Sequence, residues 1–289
     1  MDNPFSIQYP DHVDCELIQF AVNGDKKALQ QLIVRHEIFV YNVALKMTRS
    51  RDDAHDLTQE AFIKAITSLS KFEGKSSFRT WLYRITVNHF LNTRKRKTEY
   101  LITDFESYFN GIDKMPESEL NEAEQDTLRD SIEELRIACT AGMLMCLDRD
   151  QRMIYILGEM FRVDHNIGAD IMGITPGNFR VKLLRARTDL HSWMNRKCGL
   201  VNPANPCRCS KKTRAYVEKG AVDPFNLQFN RDFTKRVFEI SERDSLNVEQ
   251  SIDDISSRVF ARHPVQQPVK STLVEELVNN ALLSEILKF

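Results

Sequence analysis

An all-α protein of two or three helical domains is what the sequence predicts. Apolar residues recur at spacings of three and four along most of the chain, with few strand-like alternations. Residues that interrupt helices are scarce, with only 10 Gly and 9 Pro. A length of 289 residues exceeds one small helical domain, and 42% hydrophobic residues allow each domain its own core.

The elements follow in order. Asp14 is placed to cap a first helix carrying Leu17, Ile18 and Ala21, which ends near Asn23-Gly24. Ala28 to Met47 is a second helix, with Leu29, Leu32, Ile33, Phe39, Val40, Val43 and Ala44 on its apolar side. Asp52 or Asp53 opens a third, reaching Leu69. Lys71 to Ser77 reads as a loop turning at Gly74, and Phe78 starts a fourth helix that continues into Arg94-Lys95-Arg96-Lys97. A weakly periodic acidic stretch runs from about Thr98 to Asp130, and a second helical block spans Ser131 to Arg196. Beyond Cys198 comes an Asn/Pro/Cys/Lys-rich segment, then amphipathic helices ending in Val269–Phe289.

A net charge of −1 hides strong segregation. Lys71–Lys97 holds eight Lys/Arg against one acid, a balance of +7, whereas Thr98–Leu135 holds twelve acids against two bases, a balance of −10. Such blocks predict a basic binding face beside an acidic connecting segment. No apolar run approaches the roughly 18 residues of a membrane span, and Met1–Pro10 lacks the pattern of a signal peptide. A cytoplasmic, nucleoid-associated protein with no membrane insertion is expected, and its six cysteines are not a disulfide framework.

Asp53, Asp56, Glu60 and Lys64 share one face of the third helix, while Leu57, Ala61 and Ala65 anchor another. That stripe is either a solvated face or a docking surface for a basic partner. On the fourth helix Phe78, Trp81, Leu82 and Ile85 form an apolar seam, and Arg84, Asn88, Asn92 and Arg96 step along a polar one. Arg suits phosphates and Asn suits a base edge. The loop from Gly74 to Ser77 can wall a pocket for an unstacked base, and Trp81 serves either as core or as a stacking surface.

Asp56-Leu-Thr-Gln-Glu-Ala-Phe-Ile-Lys-Ala65 and Phe72-Glu-Gly-Lys-Ser-Ser-Phe-Arg-Thr-Trp-Leu-Tyr-Arg-Ile-Thr-Val-Asn88 closely resemble the sigma-2 domain of extracytoplasmic-function (ECF) RNA polymerase sigma factors. The resemblance implies a non-enzymatic protein whose partners are core RNA polymerase, through the β′ clamp helices and β flap, promoter DNA, and in some settings an anti-sigma factor. It implies that Asp53, Asp56, Gln59 and Glu60 contact polymerase. It also implies that Lys75, Ser76, Ser77, Arg79, Trp81, Arg84, Asn88 and Asn92 meet the −10 element, where a base is flipped.

Farther on, His165–Met172, the turn Gly173-Ile-Thr-Pro-Gly177 and the basic helix Asn178–Leu190 make a helix-turn-helix pattern. Asn178, Arg180, Lys182, Arg185 and Arg187 are the candidates for the −35 element, with Arg185-Ala-Arg187 resembling the end of a sigma-4 recognition helix. The family usually carries an aliphatic residue in place of Gly168 and an acid in place of Ile167, which implies a less regular first helix here. The predicted organisation is thus a sigma-2-like domain (11–97), an acidic linker (98–130), a sigma-4-like domain (131–197) and a C-terminal extension (198–289). A linker of roughly 35 residues can extend beyond ~100 Å, whereas promoter elements two helical turns apart need about 70 Å.

The family pattern covers about Asp11 to Asn195. In the extension, Cys198, Cys207 and Cys209, with His191 on the preceding helix, allow a Cys3His zinc site, although no cofactor is required. Reduced structural or redox-sensing thiols are the other reading. Lys211, Lys212 and Arg214 either extend a DNA contact or are solvated. The stripe Leu273, Leu277, Val278, Ala281, Leu282 and Ile286 must bury, either as ordinary packing or as a built-in regulator that masks a binding face. The alternative function is a helix-turn-helix regulator acting without core polymerase. No Gly-rich phosphate loop or recognisable catalytic arrangement points to an enzyme.

Overall fold

The computed structural model describes residues 10–95, 97–102, 104–227, 252–261, 263, 272–280 and 283. Their regular structure is helical, with no strand among the described residues. In order come α1 (Asp11–Val22), α2 (Lys26–Thr48), α3 (Arg51–Thr67), a 3-10 turn (Leu69–Lys71), α4 (Phe78–Asn92), α5 (Lys97–Leu101), α6 (Phe105–Asp113) and α7 (Glu122–Thr127). They are followed by α8 (Arg129–Met145), α9 (Arg149–Tyr155), a π-turn (Ile156–Met160), α10 (His165–Met172), α11 (Pro176–Lys197) and α12 (Cys209–Glu218). The last two are α13 (Ile252–Ala261) and α14 (Thr272–Val278).

The chain divides into two compact units. The first comprises Met1–Thr98, Ile156–Leu183 and Gln267–Phe289. The second comprises Glu99–Tyr155 and Leu184–Gln266.

In the first unit α2 packs against α1, α3 and α14, while α4 lies against α3 and α10. The apolar positions expected for α2, Leu29, Leu32, Ile33, Phe39, Val40, Val43 and Ala44, are all buried. Each large aliphatic side chain so buried contributes roughly 1.5–3 kcal/mol. Asp14 is not a cap. The helix begins at Asp11, and Asp14 is buried inside it, where its Oδ1 accepts from Arg35 Nε at 2.7 Å and its Oδ2 meets His36 Nε2 at 3.1 Å. His36 Nδ1 in turn meets the Tyr83 hydroxyl at 3.0 Å, so one polar chain joins α1, α2 and α4. Burial opposes ionisation of Asp14, but the hydrogen bonds and charges of His36 and Arg35 outweigh it and hold its carboxyl below the ordinary range.

Ser50, rather than Asp52 or Asp53, caps α3 by accepting from the Asp53 amide at 3.2 Å. Nor does α4 continue into the basic run. It stops at Asn92, Thr93 turns extended, and Arg96 lies outside the described residues.

In the second unit the acidic stretch carries α6 and α7. Glu99 is buried against Arg149, which holds it through two bonds of 2.9 and 2.7 Å, and Arg152 reaches it at 3.3 Å. Arg152 also donates to the carbonyls of Leu144, Met145 and Leu147, satisfying acceptors left open where α8 ends. Phe105 and Phe109 of α6 both stack on Trp193 of α11, at 5.9 and 5.7 Å between centroids. Lys211, Lys212 and Arg214 on α12 pair with Glu119, Glu117 and Glu124 at 2.5, 3.1 and 2.6 Å. The three cations for which a DNA contact was one reading therefore neutralise part of the acidic segment.

Candidate nucleic-acid interface

The acidic stripe of α3 is only partly free. Asp56 is exposed and Asp53 half-buried. Glu60 meets His89 of α4 at 3.0 Å, and Gln59 donates to Glu276 of α14 at 3.2 Å. Gln59 and Glu60, both expected partner-binding residues, thus have intramolecular roles in this conformation.

The loop before α4 brings Phe72, Phe78 and Trp81 into an aromatic cluster, with centroids 5.5–5.7 Å apart. Phe78 is buried and Trp81 half-buried, so the Trp81 ring serves the core and keeps an open edge. Ser77 caps α4, accepting from the Thr80 amide at 3.3 Å, and Ser76 Oγ donates to the Ser77 carbonyl. Lys75 pairs with Glu73 in the exposed loop. Arg79 is a structural strut: it is 9% exposed and pairs with Asp11 at 3.1 Å, which fastens α4 to α1. Arg84 donates through Nε to the Asp170 carbonyl at 2.9 Å and forms an ion pair with the Asp170 carboxylate. Asn88 and Asn92 are exposed one turn apart, followed by exposed Arg94 and Lys95. Of the eight residues expected at the −10 element, Lys75, Asn88 and Asn92 are the most open.

Asp164 caps α10, accepting from the amides of Asn166 and Ile167 at 2.8 and 3.4 Å. Gly173 ends it at φ +66°, a left-handed conformation that favours glycine. Thr175 then caps the next helix through the Asn178 amide at 3.2 Å, so α11 begins at Pro176, two residues earlier than its periodicity suggests. The expected irregularity of the first helix is absent. A Cβ on Gly168 would lie 2.6 Å from Phe179 Cζ, so the Phe179 ring occupies the volume that an aliphatic side chain would need.

Along α11, Asn178, Arg180 and Arg185 are exposed, and Lys182 and Arg187 half-buried. Val181 and Leu184 are exposed as well, at 48% and 62%, on a helix otherwise rich in charge. Apolar groups of this kind suit thymine methyls in the major groove. Val181 stands three residues after Asn178 and so shares its face, a signal that the charges of the helix obscure in the sequence.

Of the residues in the Cys3His expectation, His191 has another partner. His191 is buried and its Nε2 meets the Tyr155 hydroxyl at 2.9 Å. Among the described residues no group of three or more His, Cys, Asp or Glu is arranged to hold a metal ion. Cys198 and Cys207 are instead linked by an isolated backbone bridge. Burial pushes the Cys198 and Cys207 thiols up and the Cys209 thiol up to about 12. Cys139 of α8, which the spacing argument did not include, is raised by burial and by its proximity to Cys209 and Cys198.

Among the described residues no helix is long and apolar enough to cross a membrane. Residues 32–99 match the family model for sigma-70 region 2. Over 179 residues the chain is 30% identical to the RNA polymerase sigma-H factor of Pseudomonas aeruginosa, covering 60% of this chain and 90% of that protein. It is 33% identical over 191 residues to the ECF RNA polymerase sigma-E factor of Haemophilus influenzae, covering 60% of this chain and 91% of that protein. Against the Escherichia coli sigma-E factor identity is 31% over 185 residues, covering 63% and 93% of the two chains. With an all-helical fold and near-complete coverage of these relatives, the chain belongs to the extracytoplasmic-function family of RNA polymerase sigma factors.

Proposed function

We propose that the chain carries out its family's task, directing RNA polymerase to promoters and assisting DNA opening, through three surfaces. Asp53 and Asp56, with Gln59 and Glu60, dock on the β′ clamp helices. Asn88 and Asn92, with the Lys75–Ser77 loop and Trp81, receive the −10 element. Asn178, Arg180, Lys182, Arg185 and Arg187 enter the major groove of the −35 element beside the β flap. The polymerase performs the bond chemistry and this chain supplies recognition. It works in the cytoplasm at the nucleoid, and an anti-sigma factor is a further candidate partner. The proposed functional boundaries fall at 98, 131 and 198.

The observation that carries this reading is the Glu60–His89 contact at 3.0 Å between α3 and α4. It ties an exposed acid, Asp56, on one helix to exposed Asn88 and Asn92 on the next within one packed unit. A docked polymerase would therefore find the −10 reading surface in a fixed place. Flipping a base costs a few kcal/mol; a half-exposed aromatic cluster and paired Asn donors and acceptors offset that cost.

The test is to bind core polymerase with the chain and with Asp56→Lys and Asn88→Ala. The first substitution should weaken core binding at least tenfold. The second should leave core binding intact while reducing open-complex formation. A regulator acting without polymerase would show specific duplex binding by the free chain and indifference to Asp56→Lys; the relatives do not favour that reading.

A further inference from the structure

The helix α14 lies against both α2 and α3. Its apolar residues Leu273, Val274, Leu277 and Val278 are all buried, two of them with no exposure at all. Its polar edge reaches the acidic stripe, where Glu276 accepts a hydrogen bond from Gln59 at 3.2 Å. Of the expected stripe, Leu273, Leu277 and Val278 are thus placed, while Ala281, Leu282 and Ile286 lie outside the described residues.

We infer that α14 is an intramolecular competitor for the polymerase-docking face, and that it must leave α2 and α3 before the polymerase engages fully. The inference rests on the reading of α3 as the docking helix. Gln59 is three residues from Asp56 and one from Glu60, so all three lie within about one helical turn. Packed helices approach to 8–10 Å between axes. A partner helix laid along this stripe would collide with α14 beside Gln59, although exposed Asp56 remains available for a first encounter. The affinity of the full chain is then lowered by the fraction of molecules in which α14 has been released.

This differs from simple packing in a measurable way. Leu273→Glu/Leu277→Glu in the full chain places two charges on the buried face of α14 and releases it without touching the docking residues. The released variant should bind core polymerase tenfold or more tightly than the parent, with faster amide hydrogen exchange along α3. An added synthetic peptide of residues 267–289 should restore the weaker binding. A milder variant, Leu277→Ala, which removes buried apolar area from α14 without adding charge, should shift affinity in the same direction if the double variant folds poorly. Equal or weaker core binding by both folded variants would overturn the inference. If Asp56→Lys still weakens binding in that case, the docking reading stands and only the competition falls. If parent and variants alike fail to bind core, the docking reading itself falls and the inference falls with it.

Discussion

Gly168→Ala adds one methyl group where α10 crosses α11. The new carbon would sit 2.6 and 2.8 Å from two atoms of the Phe179 ring, which is wholly buried. Ordinary carbon contacts lie near 3.5–4.0 Å, so the overlap is about an ångström and the ring has no solvent to move into. Overpacking of this kind costs about 1–3 kcal/mol, and the better helix propensity of Ala returns up to about 1 kcal/mol. A net loss of about 1–2 kcal/mol is expected. Phe179→Leu opens the same space, so the double variant should lose less than the two single losses combined, with a coupling on the order of 1 kcal/mol or more. The chain has two tryptophans, Trp81 in the first unit and Trp193 in the second. In a Trp193→Phe background, Trp81 fluorescence during urea unfolding reports the unit that holds Gly168. If Gly168→Ala proves as stable as its parent, or if the two losses simply add, this account of the helix crossing is wrong.

Three further outcomes follow from buried groups. Lys46 is buried and its pKa is lowered by burial to about 8 from an ordinary 10.5. Its charged form is therefore penalised fully below pH 8, and the penalty fades as pH rises through 8 toward 10.5. Lys46→Met should stabilise the protein at pH 7 by removing this penalty, less what the Lys46 ammonium gains over the Phe161 ring, with the advantage fading toward pH 10.5 in melting curves; a less stable variant at pH 7 would contradict this. Asp14, whose pKa is lowered from 3.8, contributes stability that is present above that value and lost as pH falls through the lower folded-state pKa. Asp14→Asn should accordingly cost about 3 kcal/mol or more at pH 7 and progressively less in acid denaturation at lower pH. Cys15 is exposed, whereas Cys139 and Cys209 are raised by burial. Mass-resolved alkylation of the native chain should modify Cys15 first and those two last.

Local pattern made much of the fold legible. The apolar periodicity of α2, the loop at Gly74 and the Gly173 turn all appear near their expected places, because each depends on residues close in sequence. Errors arose where a distant partner decides. An acid near the start of a helix is a cap by default, but Asp14 finds Arg35 and His36 on the next helix. The charge of the 98–130 segment is plain in the sequence, whereas the pairing of Glu119, Glu117 and Glu124 with Lys211, Lys212 and Arg214, some ninety residues later, is not. His191 sits at a spacing suited to a shared face with Cys198, but Tyr155 holds it. At the candidate interface the residue types were readable and their availability was not. Arg79 and Arg84 look alike as basic residues on α4, yet Asp11 and Asp170 engage them both.

The most direct test of the account is transcription by core polymerase reconstituted with the full chain on genomic DNA, with transcript starts mapped. The account predicts discrete starts downstream of a shared −10 and −35 pattern, present only when the chain is added and lost with Asp56→Lys. Failure of the folded chain to bind core, or starts unchanged by its presence, would contradict it.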